Sequence, residues 1–171
     1  MTDTRVLVFD MDGTIADLYG VANWLEDLRN ENPRPYINAE PLYDMENLVN
    51  ILNALKACGW KIVVTSWLSK VSSVGYDIEV RRAKREWLEK YHFPFDEIHL
   101  VKYGTTKANC TRKLGGFQIL VDDNKEVRKG WHLGATINAK NNISVPNLTF
   151  CRINKKFTKE GLTRPLKCDI I

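Results

Sequence analysis

The sequence predicts an α/β domain built on a parallel sheet with helices packed on both faces. Three observations carry this. Four short apolar runs, 5–9, 60–64, 97–101 and 117–121, have the near-continuous character of strands buried on both faces. The segments between them place apolar residues at helical spacing. Polar or acidic residues stand at or just beyond the end of each run, where sheets of this kind bind ligands.

The elements follow in order. Arg5-Val-Leu-Val-Phe9 is the first strand. Ala22, Leu25 and Leu28 share one side of a short helix, and Asn32-Pro-Arg-Pro35 reads as a turn or loop. A helix starts at Asp44, buries the stripe Leu48, Ile51, Leu52 and Leu55, and stops at Gly59. Trp60 to Val64 is the second strand, and 69–76 is polar and loop-like. Val80, Ala83, Trp87, Leu88 and Tyr91 mark a third helix. After the strand at 97–101 come a helix over 107–114, the pair Gly115-Gly116 and the strand at 117–121. A helix over 125–133 and strands at 135–137 and 148–153 complete the pattern. No internal repeat or domain linker interrupts it, so residues 1–171 read as a single domain.

Composition narrows the class. The 171 residues can bury a real core, and no apolar run is long enough to span a bilayer. The chain enters its first strand without a signal-peptide pattern, and Cys58, Cys110, Cys151 and Cys168 form no C-x-x-C pair. Reduced thiols and a cytoplasmic location are the expectation. The net charge of +4 is unevenly spread: a tail carries Arg152, Lys155, Lys156, Lys159, Arg164 and Lys167 against Glu160 alone, and reads equally as a surface that attracts phosphates or nucleic acid and as a solvated face. A second basic set, Arg81, Arg82, Lys84 and Arg85, is interleaved with Glu79, Glu86 and Glu89 and reads as a solvated helix face. Trp24, Trp60 and Trp87 read as core. Trp67, directly after the second strand, is a candidate to line a pocket.

The strand ends carry the chemistry. The first delivers Asp10-Met-Asp12-Gly-Thr14, the second Thr65-Ser66 and the fourth Asp122-Asp123, and a segment with Lys102 and Lys107 follows the third. Carboxylates from two neighbouring strands repel one another unless a hard divalent cation sits between them, and Mg²⁺ suits such a site while keeping room for a substrate phosphate. A hydroxyl from Thr65, or from Ser66, can donate to a phosphoryl oxygen, and Lys107, or Lys102, can neutralise its charge. Phosphoryl transfer asks for that combination of positioning and charge stabilisation. Asp10 can attack phosphorus, and Asp12, two residues on, can protonate the leaving group and later activate water. Gly13 permits a sharp turn that brings backbone N–H groups towards a phosphate. The competing reading of Asp122-Asp123 is a plain turn or helix N-cap.

Val6-Leu-Val-Phe-Asp-Met-Asp-Gly-Thr-Ile15 resembles the first motif of the haloacid dehalogenase (HAD) superfamily, whose members are mostly phosphatases. Thr65 resembles the second motif, Lys107 in Tyr103-Gly-Thr-Thr-Lys107 the third, and Ile119-Leu-Val-Asp-Asp123 the acidic fourth. The resemblance spans roughly residues 5 to 125 and implies a Rossmann-like HAD fold. It assigns Asp10 as nucleophile, Asp12 as acid/base with its backbone carbonyl on the metal, and Thr65, Ser66 and Lys107 as phosphate partners. By the same resemblance Asp10, Asp12 and Asp123 are expected to hold Mg²⁺, with Asp122 behind them. The interval between first strand and second helix leaves room for a small helical cap, over 16–45. The nearest branch resembles the 5′-deoxyribonucleotidases, which implies a deoxynucleoside monophosphate as substrate. The shorter cap puts Tyr19, Trp24, Tyr36 and Tyr43 forward as substitutes for that branch's base clamp. Two alternatives stand beside it: a nucleic-acid 3′-phosphatase whose basic tail holds the strand, and a non-catalytic binding module on the same fold. Dehalogenation would leave Asp12 without a purpose, since halide departs without a proton.

Overall fold

The structure, a computed structural model, describes residues 4–140. The basic tail from Arg152 to Lys167, the expected strand at 148–153, Cys151 and Cys168 lie outside the described residues. The described chain runs β1 (Arg5–Phe9), β2 (Ala16–Asp17), a 3-10 turn (Leu18–Gly20), α1 (Trp24–Arg29), α2 (Arg34–Asn38), β3 (Glu40–Pro41), α3 (Met45–Ala57), β4 (Trp60–Trp67), α4 (Val74–Lys90), β5 (Glu97–Val101), α5 (Lys107–Thr111), a second 3-10 turn (Arg112–Leu114), β6 (Phe117–Asp122), α6 (Lys125–Lys129) and β7 (Gly134–Asn138).

Five strands form one parallel sheet in the order β5-β4-β1-β6-β7. The expected fold class, a parallel sheet with helices on both faces, is what the chain adopts. Alternation along β1 splits the core. Leu7 and Phe9, with Ile62, Val64, Ile119 and Val121, pack against Leu48, Leu52 and Leu55 of α3 and Trp87 and Leu88 of α4. Val6 and Val8, with Val63 and Leu120, face Ala108 of α5, Trp131 and the partly buried Val127 of α6. Because β1 lies between β4 and β6 and is sandwiched on both faces, its residues 6 to 8 are fully buried. That is why its apolar run is continuous and does not alternate.

Local chemistry sets the ends. The Asp44 carboxylate accepts the Asn47 N–H at 3.1 Å and caps α3, a contribution of about 1 kcal/mol. Gly59, at φ +82°, closes the same helix in the left-handed conformation that glycine adopts without strain. Ser73 caps α4 through Tyr76 N–H.

Several local expectations change. The Pro-rich segment at 32–35 is not only a turn. It opens α2, with Pro33 as cap and Pro35 in the first turn, where a missing N–H costs nothing. The helix near residue 24 buries no side chain, Ala22 lies before it, and Leu25 is exposed. The interval 69–76 already contains the start of α4, and α6 stops at Lys129, ahead of Gly130. Strand β4 runs three residues beyond Val64, so Thr65 and Ser66 are its last internal residues. Two short strands had no counterpart in the expectations: β2 and β3 pair antiparallel, Ala16 with Pro41 and Asp17 with Glu40. Two-residue strands carry too little pattern to be read from sequence.

This small ladder forms the neck of an excursion, residues 18 to 39, that holds the first 3-10 turn, α1 and α2. The excursion packs on α4 through Leu18 and Tyr36, which share a buried cluster with Leu68, Tyr76, Val80 and Ala83. Tyr76 Oη donates to Asn32 O at 3.1 Å, and the Glu31 carboxylate accepts from both Ser73 N–H and Ser73 Oγ–H. Among the described residues no helix is long and apolar enough to cross a membrane.

Candidate active site

Parallel pairing brings the strand ends to one edge. Phe9 stands beside Val64 on one side and Val121 on the other, so Asp10, Thr65 and Asp122 stand at one level on adjacent strands. The Asp10 N–H donates to Val121 O at 2.9 Å and carries the β1 ladder one residue further.

The chain then turns sharply. The amides of Thr14, Ile15 and Ala16 all donate to Met11 O, and Gly13 N–H donates to Ala16 O at 2.8 Å. The Gly13 amide is thus spent within the turn and is not offered to a phosphate. Its glycine has another cause. At φ +71°, a Cβ would stand 2.5 Å from the Tyr19 ring and 3.0 Å from Asp123 Oδ2. The buried Thr14 hydroxyl accepts the Asp123 N–H at 3.1 Å and ties this turn to the end of β6.

Asp10, Asp122 and Asp123 present carboxylate oxygens that all lie within 4.8 Å of one another. Lys107, at the first position of α5, sends its ammonium between two of them, 2.7 Å from Asp10 Oδ1 and 2.8 Å from Asp122 Oδ2. Lys102, the competing lysine, is exposed, whereas Lys107 is buried. Burial disfavours the Lys107 ammonium. The charges of Asp10 and Asp122, and hydrogen bonds to both, outweigh that, so its pKa lies above the ordinary lysine value.

The two aspartates of β6 differ. Asp122 is fully buried, and both its oxygens are engaged, one by Lys107 and the other by Asn124 N–H at 2.8 Å. Among the described residues, Asp123 Oδ2 pairs with the largely exposed Lys140, at 3.1 Å. Helix α6 takes its N-cap from Asn124, whose Oδ1 accepts from Glu126 and Val127. Neither aspartate serves that role. The pKa of Asp122 is pushed up to about 6, first by burial and then by the Asp10 charge, against the pull of Lys107. Burial and the Asp10 charge also raise Asp123, while Lys140 lowers it.

Thr65 and Ser66 are both fully buried. The Thr65 hydroxyl has no hydrogen-bond partner among the described residues, an uncommon state for a buried polar atom. The Ser66 hydroxyl accepts from Lys84 at 2.8 Å. Lys84 overturns the reading of its helix as a solvated basic face. Arg82 and Arg85 are exposed, Arg81 donates to Leu100 O, and Lys84 is completely buried. Its ammonium lies 2.5 Å from Asp12 Oδ2. Positions 80, 83, 84, 87 and 88 form one buried stripe, so the available signal was a lysine at an apolar-stripe position.

Burial raises the pKa of Asp12 most, with the Asp10 charge adding to it and Lys84 opposing. Asp10, Asp12, Lys107 and Asp123 open onto a cavity of about 740 Å³. Its walls come from the excursion (Tyr19, Trp24, Tyr36, Arg29), from the end of β4 and the segment after it (Trp67, Lys70) and from Tyr103. Tyr19 and Trp24 meet edge to face with ring centroids 5.0 Å apart, and Trp67 and Tyr103 form a second pair at 4.9 Å. Trp60 and Trp87 are core as expected, whereas Trp24 is a wall residue. Tyr43 is not part of the wall: its hydroxyl donates to Ala139 O.

The acidic group fits a hard divalent cation. Its donors are all carboxylates, the pKa values of Asp122 and Asp123 are raised by burial and further by the Asp10 charge, and among the described residues the Asp123 carboxylate meets an exposed lysine. Mg²⁺ is therefore expected to raise the melting temperature by about 5–10 °C when present at about a hundredfold over its Kd. The gain should be largest above pH 7. A carboxyl whose pKa is raised in the folded state disfavours the fold when ionised. The metal-free protein is relieved of that cost as pH falls from about 6 towards the ordinary carboxyl range. The metal-induced shift should shrink over the same window, and thermal melts with Mg²⁺ and with a chelator measure it. A shift that does not change with pH speaks against this acidic group, in which Asp122 titrates beside Asp10 and Asp123, as the place where the metal binds.

No family model and no curated protein sequence matches the chain. Eleven solved chains match it in structure. One is a D,D-heptose 1,7-bisphosphate phosphatase from Burkholderia thailandensis, 17% identical, with a TM-score of 0.45 over 77% of this chain and 75% of that one. A likeness at this level carries no argument about activity.

Proposed function

We propose that the chain is a HAD-type, magnesium-dependent phosphomonoester hydrolase that works through an aspartyl-phosphate on Asp10. The observation that carries this reading is the buried Lys107 clamped between Asp10 and Asp122, beside Asp123, at the floor of an open cavity. A buried lysine against paired carboxylates is a costly arrangement for stability alone, and its chemistry matches phosphoryl transfer.

In this reading Asp10 attacks phosphorus and the ester P–O bond breaks. Asp12 gives its proton to the departing oxygen, then takes one from the water that hydrolyses the intermediate. Lys107 and the unpartnered Thr65 hydroxyl bind phosphoryl oxygens. Asp10, Asp123 and the Asp12 backbone carbonyl would hold Mg²⁺, which supplies charge compensation for the transferring group. Asp122 keeps Lys107 in place. Ser66, committed to Lys84, supports Asp12. Residues 16–45 act as the small cap.

For the substrate, the reading is a deoxynucleoside monophosphate. The cavity is of the size that encloses a small-molecule ligand, and two aromatic pairs stand on its walls. Base stacking on an aromatic ring contributes about 1–3 kcal/mol. The expected selectivity over sugar phosphates is about ten- to a hundredfold in kcat/KM. Phosphate release from a panel of deoxynucleotides, sugar phosphates and phosphorylated oligonucleotides, with Mg²⁺ and with a chelator, measures both claims. Equal turnover in chelator sinks the metal dependence. An oligonucleotide that wins at low salt, and loses its advantage as salt rises, makes the protein an end-processing phosphatase instead.

A further inference from the structure

We infer that Lys84 is a positioning residue for Asp12. It holds one carboxyl oxygen of the proton-transfer group, so that the other is presented to the leaving group and to water. The inference rests on the proposed phosphohydrolase reading and deepens it.

The geometry separates Lys84 from Lys107. An ammonium has three N–H donors. Those of Lys84 are matched by three oxygens: Asp12 Oδ2 at 2.5 Å, Trp67 O at 2.7 Å and Ser66 Oγ at 2.8 Å. The Tyr36 ring covers the same ammonium, with its centroid 4.9 Å away. The side chain is completely buried, and it does not line the cavity. With all three donors committed to protein oxygens, Lys84 has none left for a phosphate, unlike the unpartnered Thr65 hydroxyl. Lys107, by contrast, lines the cavity floor.

Asp12 is held differently from Asp10. It sits in a turn, and Lys84 Nζ occupies its Oδ2. Asp12 lines the cavity, so Oδ1 is the oxygen left for proton exchange. Through the reaction the P–O bond to the leaving group breaks as Asp10 bonds to phosphorus, and Asp12 Oδ1 gives its proton to the departing oxygen. In the second half the attacking water returns a proton to Oδ1 as the phosphate–Asp10 bond breaks. Lys84 gains and loses no proton in either half. Its partners come from β4 and the β1 turn, and the Tyr36 ring comes from α2. One buried side chain on α4 thereby sets the acid/base group against both the sheet edge and the excursion.

The test is a leaving-group series in a double-mutant cycle. kcat/KM with Mg²⁺ is measured for 4-nitrophenyl, phenyl and alkyl phosphates with the wild type, Lys84→Met, Asp12→Asn and the double variant. A misplaced acid matters most where the leaving oxygen most needs a proton. Lys84→Met is expected to lose about a hundredfold on the alkyl ester and less than about tenfold on the 4-nitrophenyl ester. In the Asp12→Asn background, Lys84→Met should change the alkyl-ester rate by less than about twofold, because the two residues act as one unit. An equal loss with every leaving group, or a full loss in the Asp12→Asn background, overturns the inference. Should Lys84→Met fail to melt cooperatively, Lys84→Gln, which keeps a donor, carries the same comparison. Failure of both to fold makes Lys84 a residue of the core alone and also overturns it. The underlying reading fails separately, if the wild type releases no phosphate from any ester or if Asp10→Asn leaves turnover intact.

Discussion

Asp10→Asn is expected to bring phosphate release down by about 10⁴–10⁶-fold, the scale on which loss of a covalent nucleophile acts. The amide is close in shape to the carboxylate, so the strand end and its N–H bond to Val121 should persist. Lys107 would retain Asp122 at 2.8 Å. What is removed is the lone-pair oxygen that attacks phosphorus and one negative charge beside Asp122 and Asp123. Steady-state assays on an aryl phosphate measure the loss, and near-UV circular dichroism checks that the fold is retained. Acid-quenched phosphoenzyme should be found with the wild type and not with the variant. Beryllium fluoride should form its adduct on Asp10. A variant that still turns over, or an adduct on another residue, removes Asp10 from the mechanism.

Asp12→Asn is expected to cost about 10²–10⁴-fold, the usual weight of general acid–base catalysis. Its position supports a proton carrier. Burial raises its pKa most, and the Asp10 charge adds to this, while Lys84 holds the opposing charge 2.5 Å away. Asn retains an oxygen for Lys84 but has no proton to give the departing alkoxide and cannot take one from water. Both halves of the reaction should slow. The loss should be larger for alkyl than for nitrophenyl esters, and a phosphoenzyme that forms from the activated ester should persist. Rapid-quench kinetics separate the two steps. A loss that is the same for all esters, with no accumulated intermediate, contradicts the acid/base role and leaves Asp12 as a metal-site residue alone.

The parts of this protein that were legible beforehand share a property: their chemistry is local in sequence. A strand sandwiched on both faces must be apolar throughout, so β1 and β6 announce themselves at 5–9 and 117–121. The cap and C′ glycine of α3 lie next to the helix they bound. The acidic residues stand directly after their strands, so naming the strands named Asp10, Asp12, Asp122 and Asp123. The elements misread were those whose signal is shared with another state. Asn32-Pro-Arg-Pro35 satisfies a turn and a helix start alike, and β2 and β3 are two residues each.

By itself the sequence determined the sheet class, the edge at which polar groups collect, and the acidic and basic residues that gather there. Tertiary structure decided which charge meets which. Lys102 and Lys107 are equal in composition, but only the one that opens α5 reaches between Asp10 and Asp122. Lys84 looked like one of four basic residues on a helix. It became the partner of Asp12 because the stripe it occupies faces the sheet edge and buries the ammonium completely, where a carboxylate offsets its charge. Gly13, read as a phosphate-facing turn residue, proved to be the place where the Tyr19 ring and Asp123 approach the backbone. Each of these depends on the separation between atoms far apart in the chain. Coulomb energy and steric contact are functions of that separation, and only the folded arrangement of strands and helices sets it.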